Sequence, residues 1–242
     1  MKNLLLSILS VLLLPSCVTY KTVTEPVGEN YFFEQGRKYM VSGSTEAEIT
    51  ICLEETTGNE MKFFLQIKNL NDDTLTVDPA DFYCHLNKCD FDNEQERIKN
   101  LSYCINPETR INTLENQLIK REESYSQNQL ANTACGLSSC AIGGASYISG
   151  DKETGDGAID EMARVTERME RERIEYENDV SKFNSEKNYW SNEAFRKTTL
   201  NGNSTYAGFV HFNVKSSSKF FLLFPVKNSV ILFEYNQKRI KI

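Results

Sequence analysis

The sequence predicts a mainly β fold with an α insertion: a β-sandwich interrupted by a long antiparallel helical hairpin. Three observations carry that prediction. Apolar and polar residues alternate over positions 46–54 and 61–67, and they alternate again from 210 to 214. Between these blocks, apolar residues recur every three or four positions through two highly charged stretches. The first period is that of a half-buried strand and the second that of a helix with one buried stripe.

Residues 1–16 read as a signal peptide. Met1-Lys2 is a short positive start, and Leu4 to Leu14 is an eleven-residue apolar run. A mature membrane span needs roughly 20 residues, whereas a signal-peptide core is of this shorter length. The run ends in Leu14-Pro15-Ser16-Cys17, which resembles the lipobox of bacterial lipoproteins. That resemblance implies cleavage before Cys17 and lipidation of its thiol. Pro15 departs from the pattern, where a small or β-branched residue is usual. The alternatives are an ordinary secretory signal cut elsewhere or an uncleaved anchor. Residues 17–40 are then expected to be the acylated N-terminus and a tether, with Val18 to Gly28 flexible.

Residues 41–105 form the first strand block. Ile49, Ile51 and Leu53 share one face of "EAEITICLE", and Met61, Phe63, Leu65 and Ile67 share one face of "MKFFLQIKNL". "NLNDDT" closes that strand as a turn. "LTVDPADFYCHL" predicts two short strands about a bend at Pro79, and "RIKNLSYCI" a further one.

Residues 106–200 are the insertion. Asn106-Pro107-Glu108 combines an N-cap side chain, a proline at the first helical position and a carboxylate near the positive end of the dipole. Ile111, Leu114, Leu118 and Tyr125 place a stripe on a helix expected to end near Asn132. At 1.5 Å per residue such a helix extends about 39 Å. A second helix is expected from Ile159 to about Ala194, with Met162, Val165, Met169, Tyr176, Val180, Phe183 and Trp190 as its stripe. Arg173 and Lys187 interrupt this coiled-coil-like seam. Glu167–Arg171 and Arg171–Glu175 are spaced for pairing on a solvated face.

The joining segment, 134–150, is expected to be the small-residue tip of the hairpin. It reads "ACGLSSCAIGGASYISG", and no charged side chain occurs from Ser124 through Gly150. Gly136, Cys140 and Gly144 recur every fourth place, as do Ala141, Ala145 and Ser149, a spacing that permits close helix approach. Asn128, Gln129 and Asn132 make it too polar for a convincing membrane span. Two readings stay open: self-packing locked by Cys135–Cys140, or contact with a partner through Leu137, Ile142, Gly143, Gly144, Tyr147 and Ile148.

Residues 201–242 return to strands. Val210, Phe212 and Val214 share a face after the "NGNS" turn, and "KFFLLFPV" and "SVILFEYN" are near-continuous apolar runs broken at Lys227-Asn228. Neither block can bury its faces alone, so the late strands are expected to complete the same sheets. Seven or eight short strands predict an immunoglobulin-like β-sandwich, with a jelly roll or open barrel as runner-up.

Beyond Cys17 there are six cysteines, an even number for an oxidising compartment. Cys84/Cys89 and Cys135/Cys140 share the spacing C-x4-C and are the candidate disulfides, with Cys52 and Cys104 left to pair or stay free. A zinc site on Cys84, His85, Cys89 and Cys104 is a weaker alternative, because adjacent residues do not converge easily on one ion. "CDFDNE" resembles the start of a calcium loop through Asp90 and Asp92. It lacks glycine at loop position six, where Gln95 stands, and glutamate at position twelve, where Leu101 stands. Asp72, Asp73 and Asp78 read as turn residues. "GLSSC" lacks the last glycine of a nucleophile elbow, and there is no H-E-x-x-H, P-loop or dinucleotide fingerprint. Of two histidines, His211 lies within a predicted strand and His85 beside Cys84. No catalytic residue, metal or cofactor is therefore expected.

The formal net charge is −7, and removal of residues 1–16, with one Lys and no acid, would make it −8. Such a chain has no general attraction for nucleic acid or anionic lipid. "WSNEAFRKTTLNGNSTYAGFVHF", with "FRKTTL" and Gly208 to Phe212 within it, together with the lipobox, resembles envelope lipoproteins of Bacteroides-type bacteria. The resemblance implies a lipid-anchored envelope protein and brings no activity with it. In some of those lipoproteins an acidic run after the cysteine directs surface export. None follows Cys17, so the expected location is the periplasmic face of the outer membrane. The expected function is a non-enzymatic interaction or assembly module, held by its N-terminal lipid and meeting an envelope protein or a second copy through the helical arm. The alternative is a carbohydrate-binding or hydrolytic module that uses aromatics of the sandwich and paired carboxylates.

Overall fold

The computed structural model describes residues 20–86, 100–214 and 217–241. Cys17, Cys89, Asp90 and Asp92 lie outside them. The chain divides into two compact units, one made of residues up to Cys104 together with those from Thr198 onward, the other of Ile105–Lys197.

The first unit is the expected β-sandwich. One antiparallel sheet contains β1 (Tyr20–Val27), β12 (Ser229–Lys241), β11 (Lys219–Val226), β7 (Tyr83–Leu86) and β8 (Leu101–Tyr103), in that order. The other contains β10 (Thr205–Asn213), β5 (Glu60–Asn69), β4 (Ala47–Thr57), β3 (Arg37–Gly43) and β2 (Tyr31–Glu34). A small two-stranded pair joins β6 (Leu75–Val77) to β9 (Thr198–Leu200). The predicted alternation places side chains correctly. Met61, Phe63, Leu65 and Ile67 of β5 are buried with Ile49 and Ile51 of β4, and Val210, Phe212 and Val214 are buried with them. Leu53 falls short of full burial because the β4–β5 register shifts between Leu53 and Glu55.

Aromatic rings join the two inner faces. Phe63 meets Tyr235 edge to face at 5.4 Å, and Phe212 meets Phe224 at 6.4 Å. Phe220 stacks on Tyr235 within its own sheet at 5.2 Å. Such pairs contribute about 0.5–1.5 kcal/mol beyond the area they bury.

The two strand blocks meet around Asn69, a fully buried amide. Its Nδ2 donates to the carbonyls of Asp73 at 2.6 Å and Asn201 at 3.2 Å, while its Oδ1 accepts from Asn71 N–H at 3.1 Å. Gly202 passes so close to the Asp72 backbone that a Cβ there would overlap it, which is why this crossing needs glycine.

Two expectations require correction here. The tether over 17–40 does not extend past residue 19, because β1, β2 and the start of β3 occupy Tyr20 onward. The strand block therefore begins well before residue 41, and β1 is tied along its whole length to β12, from Tyr20↔Lys241 to Val27↔Glu234. The Cys135–Cys140 disulfide is also absent. Both are exposed free thiols in one unbroken helix, where five residues separate their side chains by about 140° of rotation and 7.5 Å of rise. Cys52, Cys84 and Cys104 are buried and in no disulfide, and the expected partner of Cys84 lies outside the described residues.

Burial pushes the Cys84 and Cys104 thiols up to about 12 and Cys52 up to about 11. At pH 8 their thiolate fraction is negligible, and the thiolate is the nucleophile. An alkylating reagent at that pH should label Cys135 and Cys140 on the native protein and reach Cys52, Cys84 and Cys104 only after denaturation. Peptide mass mapping of the two samples checks this.

Candidate functional site

The second unit is an antiparallel helical hairpin of α1 (Pro107–Ser149) and α2 (Lys152–Asn192). Asn106 caps α1 as predicted, its Oδ1 accepting from Glu108 N–H at 2.9 Å. The base is apolar, with Ile111, Leu114, Trp190 and Ala194 in one cluster. There Glu108 also pairs with Arg196, just past the end of α2, at 2.7 Å; further along, cross-helix pairs set the register: Glu115 with Lys187 at 2.7 Å and Arg121 with Asp179 at 2.7 Å. Tyr125 stacks on Tyr176 with ring centroids 4.2 Å apart. Asn132 donates to Glu172 at 3.0 Å. On the outer face of α2 the observed pairs are Arg173 with Glu170 and Glu177, at 2.7 and 2.6 Å.

Segment 134–150, at the turn end of the hairpin, is not a connecting loop. It is helical to Ser149, and only Gly150, with φ of 85°, and Asp151 connect the helices. Asp151 then caps α2 by accepting from Thr154 N–H at 3.2 Å, so that helix begins seven residues before Ile159. The close-approach row also differs from the expected four-residue spacing. Asn132, Gly136, Ser139, Gly143 and Ser146, alternating at four and three residues, turn toward α2 and are at least half-buried. A strict spacing of four advances about 40° per step and leaves the contact, whereas the four-three alternation holds it. A Cβ on Gly143 would stand 3.2 Å from Ala158 Cβ, and one on Gly136 3.7 Å from Val165.

The predicted contact residues therefore separate into two groups. Gly143 is consumed in packing against α2. Tyr147 lies over Gly155 and donates a short hydrogen bond to the Asp156 carboxylate, which raises its own pKa. Gly144 has open space around it. Leu137, Ile142 and Ile148 are exposed, Ile148 by 91 %. Two residues out of phase with the inner row lies a second one: Leu130, Ala134, Leu137, Ala141, Gly144 and Ile148. At 100° per residue it occupies the opposite side of α1, and Leu130 and Leu137 are 73 % and 66 % exposed. Leu130 falls outside the predicted segment. Its signal was its place seven residues before Leu137 in the same repeat.

Sequence reasoning missed a cleft in the sandwich. Tyr83 and His85 of β7, Leu101 and Tyr103 of β8, and Leu223 and Pro225 of β11 enclose about 580 Å³, with Asp81 also in the lining. The register sets Tyr83 opposite Tyr103 and His85 opposite Leu101, with the two tyrosine rings 6.3 Å apart. The volume is that of a small-ligand pocket. A larger open cleft of about 620 Å³ carries Glu54 and Glu55, but these are chain neighbours rather than a facing pair, and Glu54 is bound to Arg37 at 2.6 Å.

Among the described residues no three His, Cys, Asp or Glu side chains gather as a metal site. Cys84 and His85, being adjacent in a strand, point to opposite sides of the sheet. His211 Nδ1 lies 2.8 Å from Glu60 Oε1, and burial holds its pKa below the ordinary value despite that carboxylate. No described helix is long and apolar enough to cross a membrane.

The two glycines 143 and 144 give a paired prediction. Gly143→Leu should separate the helices and destabilise the hairpin by about 1–3 kcal/mol, whereas Gly144→Leu should leave it unchanged or more stable. Thermal unfolding followed by far-UV circular dichroism distinguishes them. Comparison with protein-family models, curated proteins and solved structures found no match for this chain.

Proposed function

We propose that this chain is a lipid-anchored envelope lipoprotein that acts as an interaction or assembly module, not as an enzyme. Anchoring rests on the resemblance of Leu14 to Cys17 to a lipobox. The contact function rests on one observation, the uncharged outer row of α1 in which Leu130, Leu137 and Ile148 stand exposed. Single exposed apolar residues need no explanation, but a repeated row on the solvent side of a helix marks a surface that a partner covers. Its partner is an envelope protein or a second copy of the chain, and its place is the periplasmic face of the outer membrane.

A photo-crosslinker at Leu137 in cells should give a discrete adduct, and one at Asn184 of α2 should not. Leu130→Glu, Leu137→Glu and Ile148→Glu together should weaken that association about a hundredfold or more, since each buried side chain of this size contributes about 1.5–3 kcal/mol. Equal adducts from both probes, or no effect of the glutamates, would remove the contact surface. Mass spectrometry of the mature N-terminus tests the anchor separately, through acylation at Cys17.

The Tyr83–Tyr103 cleft supports a second reading, a carbohydrate-binding module. Paired aromatic rings with a nearby carboxylate suit the apolar face and hydroxyls of a pyranose. Among the described residues Asp81 is the one carboxylate in that lining, whereas hydrolysis would call for two. Under this reading, titration with soluble envelope oligosaccharides should show saturable heat release that Tyr103→Ala abolishes.

A further inference from the structure

The anchored end of the sandwich has a charge that the whole chain does not. β11 pairs with β12 only as far as Lys219↔Asn236. Beyond it, Lys238 to Lys241 pair with β1 alone, Val23↔Lys238, Thr22↔Arg239, Lys21↔Ile240 and Tyr20↔Lys241. The result is a two-stranded ribbon extending past β11. It carries Lys21, Lys238, Arg239 and Lys241, all exposed, in a protein whose formal net charge is −7.

Two of these charges have acidic groups nearby. Lys238 lies 3.7 Å from Glu25, and Lys21 also borders the cleft that holds Glu54 and Glu55. Beside the ribbon, however, is a cavity of about 220 Å³ lined by Thr22, Ser217, Ser218, Gln237, Lys238 and Arg239. Among the described residues its lining includes no carboxylate, but the Ser217 hydroxyl donates to the Lys219 carbonyl at 2.7 Å, and Lys238 and Arg239, adjacent in β12, point to opposite sides of the ribbon. The Gln237 Oε1 that accepts from Ser217 N–H at 3.2 Å holds the two segments together at this point.

The position of these exposed cations points to the surface they meet. Cys17 is three residues before Tyr20, and three extended residues span at most about 11 Å. An acyl group on Cys17 thus leaves the ribbon within a Debye length or so of the headgroups.

We propose that the β1–β12 ribbon docks on an anionic phospholipid surface, its exposed Lys21, Lys238, Arg239 and Lys241 meeting the headgroups. This inference rests on the reading of the chain as lipid-anchored. It gives that anchor a second, electrostatic attachment, which stable peripheral binding requires when the lipid alone is marginal. It also sets which end of the sandwich faces the bilayer.

The test uses the mature chain from residue 17 with Cys17→Ser, so that no acyl chain contributes, in flotation with phosphatidylglycerol–phosphatidylcholine vesicles and with phosphatidylcholine alone. Binding should favour the anionic vesicles and weaken as salt is raised. Lys238→Glu/Arg239→Glu/Lys241→Glu should reduce it about a hundredfold or more, at about tenfold or less per basic residue near the surface. Lys238→Arg/Lys241→Arg should retain it, and unchanged near-UV circular dichroism shows that each variant is folded. Equal binding to both vesicle types, no binding to either, or an unaffected glutamate variant would overturn the proposal. Saturable binding of inorganic phosphate that displaces the protein from vesicles would overturn it in favour of a free-phosphate site. An acylated Cys17 without any vesicle preference removes this inference and leaves the anchor. An unacylated Cys17 with a strong anionic preference removes the anchor and supports the docking surface.

Discussion

The structure depends on one constraint: neither strand block can cover its own apolar faces. β4 and β5 bury Ile49, Ile51, Phe63 and Leu65 only because β10 adds to their sheet and β11 and β12 supply the opposing face. Every sheet among the described residues joins residues from before the helical insertion to residues after it. Asn69 secures that closure at a single buried point, holding carbonyls from both sides of the insertion with one amide. A buried amide left half-satisfied costs more than the bonds it makes contribute. The geometry around residues 69–74 and 200–204 is therefore tightly specified, down to the glycine at 202.

The hairpin answers a different constraint. Its two helices change their means of contact along their length, from apolar packing at Ile111 and Trp190, through ring stacking at Tyr125 and Tyr176, to backbone proximity at Gly143 and Ala158. Where side chains shrink, the helices contact through small atoms and have little inward apolar surface to bury. The large residues of that stretch, Leu130, Leu137 and Ile148, face the other way. The same composition that allows close packing inside leaves the apolar area outside.

The fold class was legible in the sequence wherever burial was one-sided. Met61 to Ile67 and Val210 to Val214 alternate because one face of each strand meets the core, and the cap at Asn106 followed from hydrogen-bonding chemistry alone. β1 and β2 were not legible. They are edge strands, and β2 is exposed throughout, so no burial imposes a period on them. The distal half of α1 was missed for a related reason: Gly136, Ser139 and Gly143 form a contact by being small, and hydropathy does not register smallness. The cleft at Tyr83 and Tyr103 draws on three strands scattered through the chain, so no local pattern marks it. The basic ribbon was hidden by the acidic average until pairing brought Lys21 beside Lys238 to Lys241.

The pairing of β1 with β12 also orders events in time. Helical contacts between near neighbours form quickly, whereas pairing of distant segments must first overcome the entropy of closing the loop between them. The hairpin can form while the sandwich is still open, and β1, at the start of the described chain, waits for a partner at its far end. Until β12 is available, the strand nearest the proposed anchor presents unpaired amides and carbonyls to any neighbouring strand. A protein built this way is most exposed to mispairing during its assembly, at the edge that later becomes one of its most basic surfaces.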